Sequence, residues 1–164
     1  MKMVPATEPT RSSEPIADRE TSHDDQETLQ HQATATGGRS GSAKSEDGVL
    51  EVTLTVPKEM GGDGARGTNP EQLFAAGYSG CFLGAMKAVA SKHGVKIPDD
   101  ATVTATVAFG KREDGPGFNI AVDLEAHVPG IELEKANEVV EAAHQVCPYS
   151  NATRGNIEIT VKAV

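Results

Sequence analysis

From Asn69 to Lys92 the sequence reads NPEQLFAAGYSGCFLGAMKAVASK, with no charged side chain between Glu71 and Lys87. Asn69 can cap a helix, Pro70 suits the first helical position, and Gln72 stands three residues after the cap, as a capping box requires. Leu73, Phe74, Gly77, Cys81, Gly84, Ala85, Ala88 and Val89 recur at spacings of three and four, so the segment is expected as one helix running to about Lys92. A helix apolar on so much of its circumference must be covered on more than one side, which places it at the centre of a fold. Its small residues, Ala75, Ala76, Gly77, Ser79, Gly80, Gly84 and Ala85, let another backbone come close. Each interior glycine costs about 1 kcal/mol relative to alanine, so their number calls for a packing reason.

The other elements arrange themselves around this helix. Gln32–Thr36 alternates as a strand and is followed by Gly37-Gly38 and Arg39; Gly48–Val56 (GVLEVTLTV) reads as a second strand of an antiparallel meander. Pro57 and the glycine-rich run 61–67 end that sheet. Thr102–Phe109 and Phe118–Val128 form a hairpin about Gly115-Pro116-Gly117. Glu132–Cys147 is amphipathic, with Leu133, Ala136, Val139, Val140, Ala143 and Val146 on one side, and Pro148 stops it. Ile157–Val164 alternates as a last strand. Strands, helix, strands, helix, strand without regular βαβ repeats define an α+β class, a mostly antiparallel sheet packed on central helices.

Residues 1–28 hold three basic and seven acidic residues, three prolines and no aromatic. Such a mixture cannot bury enough surface to offset ordering entropy and is expected as a disordered acidic tail, leaving 29–164 as the one folded domain. It is too acidic for a mitochondrial targeting peptide, and no secretory signal is evident. A formal net charge of −9 argues against nucleic acid or anionic lipid as a partner. No stretch is expected to cross a bilayer. Two cysteines far apart in sequence suit a reducing compartment, the cytoplasm, where a pair is either redox-active or simply two buried thiols.

Cys81 lies about 18 Å into its helix, beyond reach of the helix dipole, and burial would raise its pKa. As a nucleophile it needs a nearby cation, and Arg39, Arg66, Arg112 and Arg154 are all available outside the tail. Cys147, at the end of the second helix beside Pro148, suits a resolving thiol if the two alpha carbons come within about 7 Å. There is no C-x-x-C, and Tyr78, three residues before Cys81, does not suit a peroxiredoxin-type site. His144 and Cys147 share a helix face, but two cysteines and scattered histidines do not make a metal site; no metal is expected.

Three segments in order resemble the organic hydroperoxide resistance branch of the osmotically inducible protein C superfamily. TNPEQLFAAGYSGCF (68–82) is similar to its first-cysteine motif, VCPYSNATRGN (146–156) to its second, and ATATGGR (33–39) to its first strand and arginine turn; the likeness spans about 30–164. The tail is longer than the family's short start, and His31-Gln32 stands where a more apolar residue is usual. The resemblance implies an intertwined homodimer that reduces organic hydroperoxides, fatty-acid hydroperoxides included, to alcohols. It implies Cys81 as peroxidatic cysteine, Cys147 as resolving cysteine, and Arg39 and Glu71 as the polar partners of the thiolate. It implies no bound cofactor, the electrons coming from an external dithiol such as dihydrolipoamide or a lipoylated protein. Because Glu71 and Cys81 are ten residues apart, about 15 Å along one straight helix, Glu71 is expected to serve the Cys81 of a partner subunit. Phe74, Leu83 and Phe118 are candidates for an apolar channel or for ordinary core. Two other classes fit the same residues: a redox sensor that oxidises without turnover, and a structural dimer whose cysteines are core.

Overall fold

The computed structural model describes residues 29–113 and 115–164; the expected tail, 1–28, lies outside them. Its order is β1 (Ala33–Thr36), β2 (Ser42–Ser45), β3 (Glu51–Thr53), α1 (Pro70–Ala90), β4 (Thr102–Lys111), β5 (Phe118–His127), α2 (Leu133–Val146), α3 (Pro148–Thr153) and β6 (Ile159–Ala163). The expected α+β class is found, as two three-stranded sheets, β1-β2-β3 and β4-β5-β6. All strand pairs are antiparallel except β5–β6, which is parallel. The chain must return through α2 and α3 before β6, and that length of connection is what parallel pairing needs.

The second sheet carries the core. Alternation along its strands stacks three rows toward the helices: Val103, Ala126 and Ala163; Ala105, Leu124 and Val161; Val107, Val122 and Ile159. Against them lie Tyr78, Phe82, Met86 and Val89 of α1 and Ala136, Val139, Val140 and Ala143 of α2, all buried. Their spacing of three and four turns one face of each helix to the sheet.

Helix α1 starts as its sequence demands, with the Asn69 side chain accepting from the Gln72 backbone N–H at 2.9 Å. The reciprocal half of the capping box is not made: the Gln72 side chain accepts instead from the Thr68 hydroxyl at 2.7 Å. Together with the turn after it, through His93, this helix is long and apolar enough to cross a bilayer by length and composition, contrary to expectation. The cause is its run of Ala, Gly, Phe and Met without charge, and in this fold one side packs on the sheet and α2. The opposite side, Ala76, Gly80, Gly84 and Ala88 at every fourth position, is exposed in the single chain.

Two elements escaped the sequence reading. β2 is the polar stretch SAKS, which has no apolar alternation to announce it; it pairs with β1 and β3 through the backbone, with Thr36–Ser42 at 3.2 Å and the Lys44–Glu51 ion pair at 3.0 Å added across the strands. An Asp47 carboxylate accepting from the Val49 N–H at 3.0 Å and a Ser45 hydroxyl accepting from the Leu50 N–H at 3.0 Å turn the chain into β3. The second is α3. Pro148 ends α2 but also occupies the first position of a new helix, where its missing N–H costs nothing.

The first sheet has no core of its own. Every residue of β1 is exposed, and β2 and β3 are at most half-buried. Backbone bonds between Thr55 and Thr68 and between Thr68 and Thr53, each 2.9 Å, tie it to the segment entering α1.

Candidate active site

Two pairs of side chains stand out. Cys147 Sγ lies 3.5 Å from Cys81 Sγ, both thiols being free. Cys81 is half-buried near the middle of α1, and Cys147 is fully buried. Cys147 is at once the C-cap of α2 and the N-cap of α3: its N–H donates to the Ala143 carbonyl and its carbonyl accepts from Asn151, both at 2.9 Å. The helix end expected at Cys147 is therefore a fixed corner between two helices.

The second pair is Arg39 and Glu71. Arg39 is delivered by a tight turn in which Gly37 and Gly38 both take positive φ, 68° and 57°, a backbone that side-chain-bearing residues adopt rarely. Its Nη1 and Nη2 donate to Glu71 Oε2 and Oε1 at 2.8 and 2.6 Å, the two-pronged geometry that a planar guanidinium offers a carboxylate. The guanidinium also lies over the Phe109 ring, 5.1 Å from its centroid. Phe109 in turn stacks on Phe118 at 4.9 Å. These rings, with Met60, Val107, Lys111 and Glu71, line an open groove of about 660 Å³. Of the three channel candidates, Phe118 is in this groove, whereas Phe74 and Leu83 pack against the core. Phe109 and Met60 were not singled out by sequence, since nothing local to either residue says that Arg39 will reach it.

The two pairs are not the same place within one chain. Glu71 and Cys81 are ten residues apart on α1, about 15 Å. Arg39 is held by the Glu71 of its own chain, so the two side chains form one unit apart from the thiol pair. Arg154, another candidate cation, donates Nη2 to the His144 carbonyl at 2.6 Å near the end of α2. His144, weighed above with Cys147 as a metal pair, has its Nδ1 3.0 Å from Ser150 Oγ.

Electrostatics sharpen the contrast. Burial pushes the Cys81 thiol up, and the nearby Cys147 adds to this, while the Tyr149 backbone amide favours the thiolate and opposes it. Within the single chain the balance disfavours the Cys81 thiolate. The Glu71 carboxyl is held below the usual carboxylate range, first by the Arg39 hydrogen bonds, with burial opposing. A folded-state pKa below the unfolded one means that the pair's stabilisation is full above the ordinary carboxylate range and is lost as pH falls through the lowered value. Glu71→Gln should thus be less stable than wild type at neutral pH, with the gap closing as pH drops below about 4. Urea titrations of both proteins at pH 7 and pH 3 check this; an equal gap at both would show that the pair's charge contributes nothing.

One buried network went unforeseen. Ser150 is fully buried, its Oγ 2.9 Å from the Tyr78 hydroxyl and 3.0 Å from His144 Nδ1. Tyr149, next to it, stacks on Phe74 at 6.1 Å and covers Gly77, where a Cβ would stand 3.1 Å from the Tyr149 hydroxyl. The signal in the sequence was spacing: Tyr78, His144 and Ser150 are each three residues from a cysteine.

Comparison with known proteins gives the family. The family model described as OsmC-like protein matches residues 61–162. The organic hydroperoxide resistance protein of Xanthomonas axonopodis pv. citri is 53% identical over 129 residues, 79% of this chain and 89% of that one. The crystal structure of the organic hydroperoxide resistance protein OhrB of Bacillus subtilis superposes with a TM-score of 0.76 at 43% identity, covering 83% of this chain and 98% of the other. That of an organic hydroperoxide resistance protein from Elizabethkingia anophelis gives 0.75 at 49%, covering 82% and 95%. The chain belongs to the OsmC-like family and, within it, to the organic hydroperoxide resistance branch. Its role is accordingly one in peroxide stress.

Proposed function

We propose that the protein is a cysteine-based peroxidase that reduces organic hydroperoxides, fatty-acid hydroperoxides among them, to alcohols in the cytoplasm. The observation that carries the reading is the 3.5 Å approach of the two thiols in a chain of this branch. The Cys81 thiolate attacks the outer peroxide oxygen, the O–O bond breaks, and the alkoxide leaves with a proton as the alcohol, so that Cys81 becomes a sulfenic acid. Cys147 then displaces the sulfenic oxygen as water, forming the Cys81–Cys147 disulfide. An external dithiol, dihydrolipoamide or a lipoylated protein, reduces it by exchange.

The thiolate needs a cation, because the surroundings of Cys81 within its own chain, burial foremost, raise its pKa. Arg39 supplies it in this reading. A guanidinium has five N–H donors and gives two to Glu71, leaving others for a thiolate and a peroxide oxygen. Since the pair stands about 15 Å along α1 from its own Cys81, it acts on the Cys81 of a second subunit. The exposed small-residue side of α1 allows two such helices to approach, and the coreless first sheet would gain a partner to pack on. The active form is then a homodimer, and the apolar groove beside Glu71 receives the organic group of the substrate.

Turnover of tert-butyl hydroperoxide by the wild type with excess dihydrolipoamide is the test. Oxidation of the two thiols once, without turnover, would replace this reading with that of a sensor; retention of both thiols would leave only a structural role.

A further inference from the structure

The geometry points to Ser150 as a positioning residue: with Tyr78 and His144 it clamps the two cysteine-bearing helices together and keeps Cys147 within closing distance of Cys81. The inference rests on the peroxidase reading above and concerns its second step.

Tyr78 stands three residues before Cys81, His144 three before Cys147, and Ser150 three after Cys147. Three residues is close to one helical turn, so each member of the network sits about one turn from a reacting sulfur. The network thus crosses from α1 to the α2–α3 corner directly behind the thiol pair. Ser150 Oγ is 2.9 Å from Tyr78 Oη and 3.0 Å from His144 Nδ1, and Thr153 Oγ1 lies 3.4 Å from the same Tyr78 oxygen. A hydroxyl carries one proton and two lone pairs, so one Ser150 can serve both neighbours at once. Tyr78 and Ser150 have no exposed surface, and Ser150 is the one buried polar residue among the described residues. Water cannot replace what it bonds to. Burial also keeps the His144 ring neutral, lowering its pKa with help from the Arg154 charge, so no ionic repulsion loosens the network at neutral pH.

The second step needs such a device. The Cys147 sulfur supplies the electron pair for the new S–S bond, the S–O bond of the Cys81 sulfenic acid breaks, and the oxygen leaves as water with the Cys147 proton. Sulfur atoms 3.5 Å apart must close to about 2.05 Å, and meanwhile a second hydroperoxide competes to drive the sulfenic acid to sulfinic acid. Intramolecular reaction wins that competition only while the thiol is held in place; a misplacement of about 1 Å costs up to about a hundredfold. In that reading the first step depends on Arg39 in the turn after β1, on Glu71 in the first turn of α1 and on the groove beside them, away from this network.

The test separates the two steps in the full-length protein. With tert-butyl hydroperoxide, rapid alkylation and intact mass measurement follow Cys81 thiol loss, disulfide formation and sulfinic acid. In Ser150→Ala the thiol should be lost within about twofold of the wild-type rate, while the disulfide forms about tenfold more slowly and sulfinic acid rises under excess hydroperoxide. Tyr78→Phe, which keeps the ring, drops the bond to Ser150 and the longer one to Thr153 and leaves Ser150 bonded to His144, should show the same split to a smaller degree. Disulfide formation at the wild-type rate in both variants overturns the proposal, as does equal slowing of both steps, the mark of a merely structural role. Should Ser150→Ala fail to fold, the split in Tyr78→Phe decides. A wild type that forms no disulfide overturns the peroxidase reading itself, a result distinct from variants that form it as fast as wild type.

Discussion

Cys81→Ser should lose hydroperoxide turnover by about a thousandfold or more, while Cys147→Ser should complete a first reduction at nearly the wild-type rate and then stall. The asymmetry follows from the different part that the proposed mechanism gives each sulfur. A serine hydroxyl in place of Cys81 has neither the acidity nor the polarisability to attack a peroxide oxygen, and the remaining thiol, Cys147, is fully buried. In Cys147→Ser the peroxidatic thiol is untouched, but the sulfenic acid finds no partner at 3.5 Å and accumulates. Under excess hydroperoxide it should pass to sulfinic acid, seen as a gain of two oxygens in intact mass. Stopped-flow consumption of tert-butyl hydroperoxide, with and without dihydrolipoamide, reads both variants. Equal loss in the two single variants during the first turnover would mean that the cysteines do not divide the work in this way.

How much of this was legible in the residues depends on the range of the interaction. Helix α1 could be read because its start signals are local: Asn69, Pro70 and the apolar spacing all act within a few residues. The hairpin of β4 and β5 could be read for the same reason, through alternation and a glycine-proline turn. β2 could not, since Ser42–Ser45 carries no pattern and is a strand only because its neighbours pair with it. α3 was hidden by Pro148, which was read as a stop when the residue also favours a start. The four site residues were named through family likeness, and the structure brings them together in two pairs rather than four at once. Physics alone left Arg39 level with Arg66, Arg112 and Arg154; its salt bridge to Glu71 across 32 residues is a tertiary fact with no local signature. The Tyr78–Ser150–His144 network is tertiary in the same sense.

The separation of those two pairs leads to a second large effect. Arg39→Ala and Cys81→Ser proteins should each be nearly inactive, yet an equimolar mixture, unfolded and refolded together, should recover about a quarter of the wild-type rate per subunit. If the Arg39–Glu71 pair acts on the partner's Cys81, a mixed dimer contains one site with both an intact cysteine and an intact arginine, and one site with neither. Random pairing makes about half of all dimers mixed, and half of their sites work. If the pair acted within its own chain, every subunit in the mixture would carry one lesion at its own site and nothing would be recovered. Arg39→Ala should also move the pH at which Cys81 reacts with iodoacetamide upward, because the thiol is then left with its own chain's surroundings, whose net effect, burial foremost, already raises its pKa. Glu71 should be the weaker determinant of that shift, as it touches the thiolate only through the guanidinium it orients. Recovery in the mixture together with that upward shift would tie activation of the thiol to a second subunit; an inactive mixture would return the arginine to its own chain and require α1 to bend or the first sheet to swing toward Cys81.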